Sequence, residues 1–162
     1  MIIRQLATSE TPFLHEMAYA ALYVPAGEPK LPRSILDGPP LDRYIANFGA
    51  DTYDQCLIAV ADGRMIGAAW GRRYRADRPG YGFISEDIPE LSIAIREGRR
   101  GGGIGTKLLE GIMAVYREMG VAAVSLSVDQ RNPAVKLYRK LGFEIVEQNE
   151  KSYVMRRELV GG

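Results

Sequence analysis

Four glycines fall within five consecutive positions, Gly101 to Gly105, with Ile104 the one exception. They follow an alternating apolar run typical of a strand and precede an apolar pattern with helical spacing. At such a junction the first N–H groups of the helix lack intrahelical partners, and the helix dipole favours an anion. Glycine also lets the backbone approach a phosphate closely. The pattern predicts a phosphate-binding turn, the alternative being a flexible turn without a ligand.

Two common phosphate-binding motifs do not fit this turn. A P-loop has lysine directly after its last glycine, whereas Thr106 separates Gly105 from Lys107. The dinucleotide fingerprint needs a small residue three positions after its second glycine, where Thr106 follows Gly103. A nucleotide-binding protein of either kind is therefore disfavoured.

The turn resembles the acetyl-CoA signature of the GCN5-related N-acetyltransferase superfamily. That signature is Arg/Gln-x-x-Gly-x-Gly/Ala, and Arg100, Gly103 and Gly105 match it. Upstream, residues 91–95 (Leu-Ser-Ile-Ala-Ile) resemble the fourth strand of the family. Downstream, residues 132–144 (Asn-Pro-Ala-Val-Lys-Leu-Tyr-Arg-Lys-Leu-Gly-Phe-Glu) resemble its second motif. Both motifs occur in order and at a spacing similar to that of the family.

The chain departs from the family pattern near the turn. Many members have a proline between the strand and the loop, where residues 96–98 are Arg-Glu-Gly. Gly102 stands at a position that is frequently basic in the family. Arg99 or Arg100 is expected to supply the phosphate contact that Gly102 cannot.

The resemblance implies acetyl-CoA as the acyl donor and no metal. The pyrophosphate would bind the glycine-rich turn, and Asn132 would contact the pantetheine arm. Asn132 followed by Pro133 is also a good helix start on local grounds alone. The implied cofactor-binding residues are Ile93, Ala94, Ile95, Arg100, Gly101, Gly102, Gly103, Ile104, Gly105, Thr106, Asn132 and Tyr138.

The resemblance also implies direct attack of an amine on the thioester, with no covalent enzyme intermediate. A backbone N–H between Ile93 and Ile95 would polarise the carbonyl oxygen. Tyr138 would protonate the leaving thiolate, and Glu90 would accept the proton of the amine. Judged without the family, Tyr138 fits a core residue better, and Glu90 is explained almost as well by a solvated carboxylate at a strand end.

The acceptor is expected to be a small-molecule amine or an amine of a peptide or protein. Two loops, residues 24–40 and 74–87, are the segments expected to select it. Aromatic residues near the second loop could line an acceptor pocket, although aromatic residues in strands are more often core; these are Trp70, Tyr74, Tyr81 and Phe83. The alternative function is an acyl-CoA-binding sensor without turnover. The resemblance also allows a homodimer.

The order of predicted elements is β-α-α-β-β-β-α-β-α-β-β. It predicts a mixed, mostly antiparallel sheet of six to seven strands with helices on both faces. The predicted strands are 2–6, 55–61, 64–73, 90–96, 121–128, 143–146 and 153–157, and the predicted helices are 12–24, 41–48, 103–119 and 132–141. Asp62-Gly63 predicts a tight hairpin between the second and third strands.

The bulk composition favours one globular domain over residues 1–162. The chain is 46% hydrophobic and 25% charged, with a net charge of +1. This charge gives no argument for nucleic acid, and the basic run 72–75 fits a solvated hairpin end. Because the N-terminus lacks a signal-peptide pattern and no apolar run could cross a bilayer, we expect a cytoplasmic protein without membrane contact. Cys56 is expected in a buried strand, and one cysteine with one histidine, His15, cannot make a typical zinc site.

Overall fold

An open seven-stranded sheet is the centre of the fold. The computed structural model describes residues 1–159. The strands are β1 (Ile2–Gln5), β2 (Gln55–Ala61), β3 (Arg64–Arg72), β4 (Glu90–Ile95), β5 (Ala123–Asp129), β6 (Glu144–Gln148) and β7 (Ser152–Glu158). The helices are α1 (Thr11–Ala20), α2 (Ile104–Glu118) and α3 (Ala134–Lys140), with 3₁₀ helices at Thr8–Glu10, Arg33–Asp37 and Leu41–Tyr44. Within residues 1–159, no helix is long and apolar enough to cross a membrane.

The strands lie in the order β1-β2-β3-β4-β5-β7-β6. Five of the six neighbouring pairs are antiparallel, and β4 with β5 is the parallel pair. Asp62 and Gly63 join β2 to β3 with φ angles of 53° and 73°, the left-handed backbone of a two-residue hairpin turn. The predicted mixed, mostly antiparallel sheet is confirmed.

Helices cover both faces of the sheet, as predicted. On one face α1 packs Phe13, Leu14 and Met17 against Ala68 and Trp70 of β3. On the other face α2 presents its apolar side to the sheet, since its buried residues recur at helical spacing; they include Leu108, Leu109, Ile112, Met113 and Tyr116. Ile95 at the end of β4 and Ile104 at the start of α2 both pack against the core beneath α2, so the glycine-rich turn connects two anchored elements.

The second predicted helix, over residues 41–48, is wrong as an α-helix. The structure has a four-residue 3₁₀ helix, Leu41–Tyr44, followed by turns. Backbone carbonyls that an α-helix would use internally instead accept side-chain hydrogen bonds from β3. Trp70 donates to the carbonyl of Tyr44 at 3.2 Å, and Arg72 donates to the carbonyls of Arg43 and Ala46 at 3.0 and 2.6 Å. Hydrogen bonds from the side chains of β3 thus take the place of the backbone hydrogen bonds that an α-helix would form here.

Candidate functional site

The gap between β4 and β5 opens the sheet beside the glycine-rich turn. The two strands are in register at one described pair, Glu90 with Ser125, and Ser125 N–H donates to the Pro89 carbonyl at 3.0 Å. Beyond this pair, toward the C-terminal end of β4, the described residues of β4 pair only with β3 and those of β5 pair only with β7. Peptide groups of β4 that face the gap therefore lack a strand partner and can bind a ligand.

Strand alternation identifies which N–H groups of β4 face the gap. Arg96 N–H, just past the end of β4, donates to the Ile66 carbonyl on the β3 side at 2.7 Å. Because successive residues of a strand point their peptide groups to opposite neighbours, Ile93 and Ile95 direct theirs toward β5. These are two of the three residues expected to supply a donor to the thioester oxygen.

A groove of about 1160 Å³ lies at this gap. We call it the donor groove; its lining residues come from the segments 16–33, 93–106 and 132–138, although not every residue of each segment lines it. It brings together eleven of the predicted cofactor-binding residues, namely Ile93, Ala94, Ile95, Arg100, Gly101, Gly103, Ile104, Gly105, Thr106, Asn132 and Tyr138. Gly102 and Glu90 are not among the residues that line it.

The glycine-rich turn presents a run of unpaired backbone donors. Among the described residues, no N–H group from Gly101 to Thr106 donates a hydrogen bond, and the ladder of α2 begins with Lys107 N–H to the Gly103 carbonyl at 3.0 Å. The run includes the N-terminus of a fifteen-residue helix, where the dipole adds partial positive charge. Such an arrangement binds phosphate oxygens.

Backbone conformation explains why glycine occupies three successive positions here. Gly101, Gly102 and Gly103 have φ angles of 93°, 67° and 78°, which other residues adopt only with strain. A β-carbon at any of the three would meet no atom within 4 Å, so crowding inside the protein is not the cause. Gly105 differs: it is buried, and its β-carbon would lie 3.4 Å from Leu137 and 3.6 Å from Ile95. These are ordinary van der Waals distances, so a small side chain at residue 105 would pack against β4 and α3.

Asn132 caps the start of α3. Its Oδ1 accepts a hydrogen bond from Ala134 N–H at 2.9 Å, as expected for a side chain that begins a helix. Its Nδ2 donates to no described residue, and the residue lines the donor groove. Asn132 can therefore cap α3 with its Oδ1 and still contact a ligand with its Nδ2.

Tyr138 lies on α3 with its ring packed edge-on to Phe143, at 6.1 Å between ring centres. The residue is only 7% exposed, yet it lines the donor groove, and its hydroxyl hydrogen-bonds to no described residue. Burial raises the pKa of Tyr138 to about 12, so the hydroxyl stays protonated at neutral pH. A neutral phenol facing a groove is suited to donating a proton or a hydrogen bond.

Glu90 is a buried carboxyl group, so the interpretation of a solvated strand-end carboxylate is wrong. It is 3% exposed, and its Oε2 accepts a hydrogen bond from the Tyr44 hydroxyl at 2.6 Å. Burial raises the pKa of Glu90 to about 7, while the Tyr44 hydroxyl and the Gly82 backbone lower it. Oε1 forms no hydrogen bond of acceptable geometry with the described residues.

The four aromatic residues that could have lined an acceptor pocket lie outside the donor groove. Trp70 is 1% exposed in the core beneath α1, and Tyr74 is also buried. Tyr81 is exposed and Phe83 is half-buried. For Trp70, the more common core role of strand aromatics is the observed one, and Tyr74 is buried just past the end of β3.

The sequence model of the Acetyltransferase (GNAT) family matches residues 18–143, which include every predicted site residue and all of the donor groove except Glu16 and Met17.

The chain belongs to the GNAT acetyltransferase family.

Several curated acetyltransferases share 34% identity with parts of this chain. One is a mycothiol acetyltransferase from Saccharomonospora viridis, matched over 62% of this chain and 32% of its own length. Another is an L-methionine sulfoximine/L-methionine sulfone acetyltransferase from Pseudomonas aeruginosa, matched over 59% and 54%. A third is an N-alpha-acetyltransferase from Sulfurisphaera tokodaii, matched over 64% and 68%. The match spans about half or less of the first two relatives.

Solved GNAT structures share the fold at low sequence identity. PaiA N-acetyltransferase from Thermoplasma acidophilum, solved with coenzyme A, aligns with a TM-score of 0.71 and 19% identity, over 97% of this chain and 98% of that one. A Salmonella typhimurium protein solved with acetyl-CoA aligns with a TM-score of 0.69 and 21% identity, over 100% and 95%. These likenesses confirm the GNAT fold predicted from the sequence.

Two sets of contacts around this GNAT site could not be read from the sequence, although the loop 24–40, expected to select the acceptor, contributes residues to the donor groove. The end of α1 and the segment after it line the donor groove, where Tyr19 donates to the Leu31 carbonyl and Tyr23 donates to the Arg131 carbonyl at 3.3 Å. The contact of Tyr44 with Glu90 spans 46 positions. Neither pairing follows from spacing or residue type.

Proposed function

We propose that this protein is an N-acetyltransferase that moves an acetyl group from acetyl-CoA to a primary amine by direct attack. The run of unpaired N–H groups from Gly101 to Thr106, at one end of the donor groove, is the observation that carries it. The names of the curated relatives and the cofactors of the two solved neighbours support it. Residues 1–162 would form a single acyl-CoA N-acyltransferase domain.

The donor would bind along the groove from the turn to the gap in the sheet. The pyrophosphate would accept hydrogen bonds from the N–H groups of residues 101–106, with Arg100 adding a positive charge. The pantetheine arm would reach the gap between β4 and β5, where Asn132 Nδ2 can donate to it. This placement would bring the thioester to the end of the groove that Ile93 and Tyr138 line.

The chemistry would rest on groups already positioned in the groove. The N–H groups of Ile93 and Ile95 face the gap, so either could stabilise the oxyanion that forms as the amine attacks. Tyr138, held neutral by burial, would protonate the thiolate sulfur as the carbon–sulfur bond breaks. No covalent enzyme intermediate is required.

Glu90 is our candidate for the general base, acting through an intermediate group. It does not line the groove, but Glu90, Ser92 and Ala94 alternate onto one face of β4, and Ala94 does line it. Ser92 lies between Glu90 and Ala94 and is half-buried, so its hydroxyl or a water beside it could pass the proton from the groove to Glu90. A carboxyl pKa of about 7 suits a base at neutral pH.

An acceptor screen tests this function directly. Purified protein is mixed with acetyl-CoA and a panel of small amines, amino acids and peptides with free N-termini, and thiol release is followed together with product mass. We expect thiol release to match the acetylated amine formed, and the mass of the protein itself to stay unchanged with acetyl-CoA alone. Tight binding of acetyl-CoA without thiol release for every amine would support the sensor alternative instead. An acetylated protein that transfers its group would exclude direct attack.

A further inference from the structure

The Tyr44 hydroxyl links the buried carboxyl group of β4 to the loop that covers it. It donates to Glu90 Oε2 at 2.6 Å and accepts a hydrogen bond from Tyr81 N–H at 2.8 Å. Burial, followed by the nearby Glu90 charge, raises the pKa of Tyr44 above its usual range. Tyr44 therefore remains a protonated donor whenever Glu90 is ionised.

Side chains of β3 hold the backbone around Tyr44 in place. The Tyr44 carbonyl accepts the Trp70 indole N–H at 3.2 Å, and Trp70 is fully packed in the core beneath α1. The carbonyl of the preceding residue, Arg43, accepts from Arg72 at 3.0 Å, and Arg43 in turn donates to the Pro79 carbonyl at 2.7 Å. These contacts fix the short 3₁₀ helix and hence the position of the phenol.

Two glycines allow the loop to lie directly on the carboxyl group. A β-carbon at Gly80 would collide with Glu90 Oε1 and lie 2.9 Å from the Tyr44 hydroxyl. One at Gly82 would lie 2.7 Å from the Leu126 backbone and 3.1 Å from the Glu90 carboxyl carbon. Ser125, which is fully buried, holds this part of the loop by donating to the Gly82 carbonyl at 2.7 Å.

The other ionisable groups around Glu90 do not replace Tyr44. Arg72 is its register partner across β3, but the guanidinium makes two hydrogen bonds to Asp54, at 3.0 and 3.1 Å. The expectation of a solvated hairpin end is therefore wrong for Arg72, which is largely buried. Tyr74 packs against the Tyr44 ring at 5.4 Å and makes no hydrogen bond to Glu90. Among the described residues, Tyr44 is the side chain that donates to this carboxyl group.

We propose that Tyr44 is a positioning residue for acetyl transfer, which fixes Glu90 Oε2 and leaves Oε1 as the atom that accepts the proton of the acceptor amine. This inference rests on the proposed base role of Glu90. Because Oε1 is buried, the proton leaves the amine nitrogen, passes through a bridging hydroxyl, and ends on Oε1, so the carboxylate becomes neutral. The hydrogen bond from Tyr44 favours the ionised carboxylate and thereby keeps Glu90 competent as a base closer to neutral pH.

The pH dependence of kcat/KM separates this role from a purely structural one. The acceptor is an amine that stays unprotonated over the range studied, so that the acidic limb reports the enzyme. In Tyr44→Phe the carboxylate loses its donor, and we expect the acidic limb to move up by roughly 1 pH unit, the effect of a hydrogen bond to a charged group. Acetyl-CoA affinity should stay unchanged, because Tyr44 does not line the donor groove.

Two further variants make the outcomes distinguishable. Tyr74→Phe is the matched control, because the Tyr74 ring packs beside Tyr44 but its hydroxyl makes no hydrogen bond to Glu90. The acidic limb of this variant should stay where it is in wild type. Glu90→Gln should remove the limb; if the limb stays where it is in wild type, the base role itself fails. If Glu90→Gln removes the limb but Tyr44→Phe leaves it unmoved, the Tyr44 inference is overturned.

A shape-conserving change covers the case in which Tyr44→Phe does not fold. Replacing Tyr44 by 3-fluorotyrosine keeps the ring and strengthens the hydroxyl as a donor. The acidic limb should then move to lower pH, opposite to the Tyr44→Phe shift. An unmoved limb in this folded variant would overturn the inference.

Discussion

Among the described residues, Glu90 and Ser125 are the one pair at which β4 and β5 are in register. They mark the point where the sheet opens. On the glycine-turn side of this pair the strands separate and the donor groove begins. On the other side, Ser125 holds the Gly82 carbonyl and the loop closes over the Glu90 carboxyl group. One strand pairing therefore divides an open groove from a buried ionisable group.

Gly103→Val should weaken acetyl-CoA binding about tenfold or more, or about 1.4 kcal/mol. Gly103 has a φ of 78°, so a β-branched residue would shift the backbone and misdirect the neighbouring N–H groups. Calorimetry with CoA measures the effect on folded protein. Gly98→Val is the matched control: its φ is 81° and its β-carbon would also meet open space, but it does not line the donor groove. Equal affinity losses in both variants would mean that the turn acts only through strain.

Arg100→Ala should weaken CoA more than pantetheine, which lacks the phosphates. Arg100 lines the donor groove and pairs with no acidic residue in the described chain, so its charge is available to a phosphate. We expect a loss of roughly three- to tenfold for CoA, as for an exposed ion pair of about 1 kcal/mol. Arg99→Ala is the control, because Arg99 lies 3.7 Å from Asp62 and outside the groove. Equal losses for CoA and pantetheine in Arg100→Ala would contradict a phosphate contact.

Tyr138→Phe should lower kcat by about 10²-fold while leaving KM for acetyl-CoA and stability nearly unchanged. The ring and its packing on Phe143 remain, and the lost hydroxyl had no partner among the described residues. A thioester donor with a better leaving group should recover part of the rate. Tyr116→Phe provides the opposite pattern, since its buried hydroxyl donates to the Tyr53 carbonyl at 2.7 Å. It should lose about 1–2 kcal/mol of stability and keep its kcat. Normal turnover by folded Tyr138→Phe would leave Tyr138 as a core residue.

Glu90→Gln should become more stable relative to wild type as the pH rises. The pKa of Glu90 is raised in the folded state from 4.5 to about 7, so the unfolded chain loses this proton first. Wild-type stability from this group therefore falls as the pH rises from 4.5 to about 7 and is level above that range. Glutamine does not titrate, and the difference in unfolding free energy should grow by up to roughly 3 kcal/mol across the window. Urea unfolding of both proteins below and above the window measures it. A constant difference would mean that Glu90 titrates normally.

Local features of the site could be predicted from the sequence because each depends on neighbours along the chain. The run of glycines between an apolar strand and an apolar helix predicted the turn that joins β4 to α2, and Asn132-Pro133 predicted the capped start of α3. Asp62-Gly63 likewise predicted its hairpin. A backbone angle, a cap or a turn is decided within a few residues, and these predictions needed no distant partner.

The surroundings of Glu90 depend instead on contacts between distant parts of the chain. Tyr44 and Gly80 lie against the Glu90 carboxyl group, and Ser125 holds the loop that covers it, although up to 81 positions separate these residues along the chain. Long-range contacts also explain why residues 41–48 do not form the predicted α-helix. Trp70 and Arg72 donate hydrogen bonds to backbone carbonyls of this segment, which forms a 3₁₀ turn. Long-range contacts likewise determine the pKa of Glu90, which follows from how completely folding removes water. The sequence alone therefore determined where the glycine-rich turn and its helix lie, and tertiary packing decided which carboxyl group is buried, which hydroxyl holds it and on which side the sheet opens.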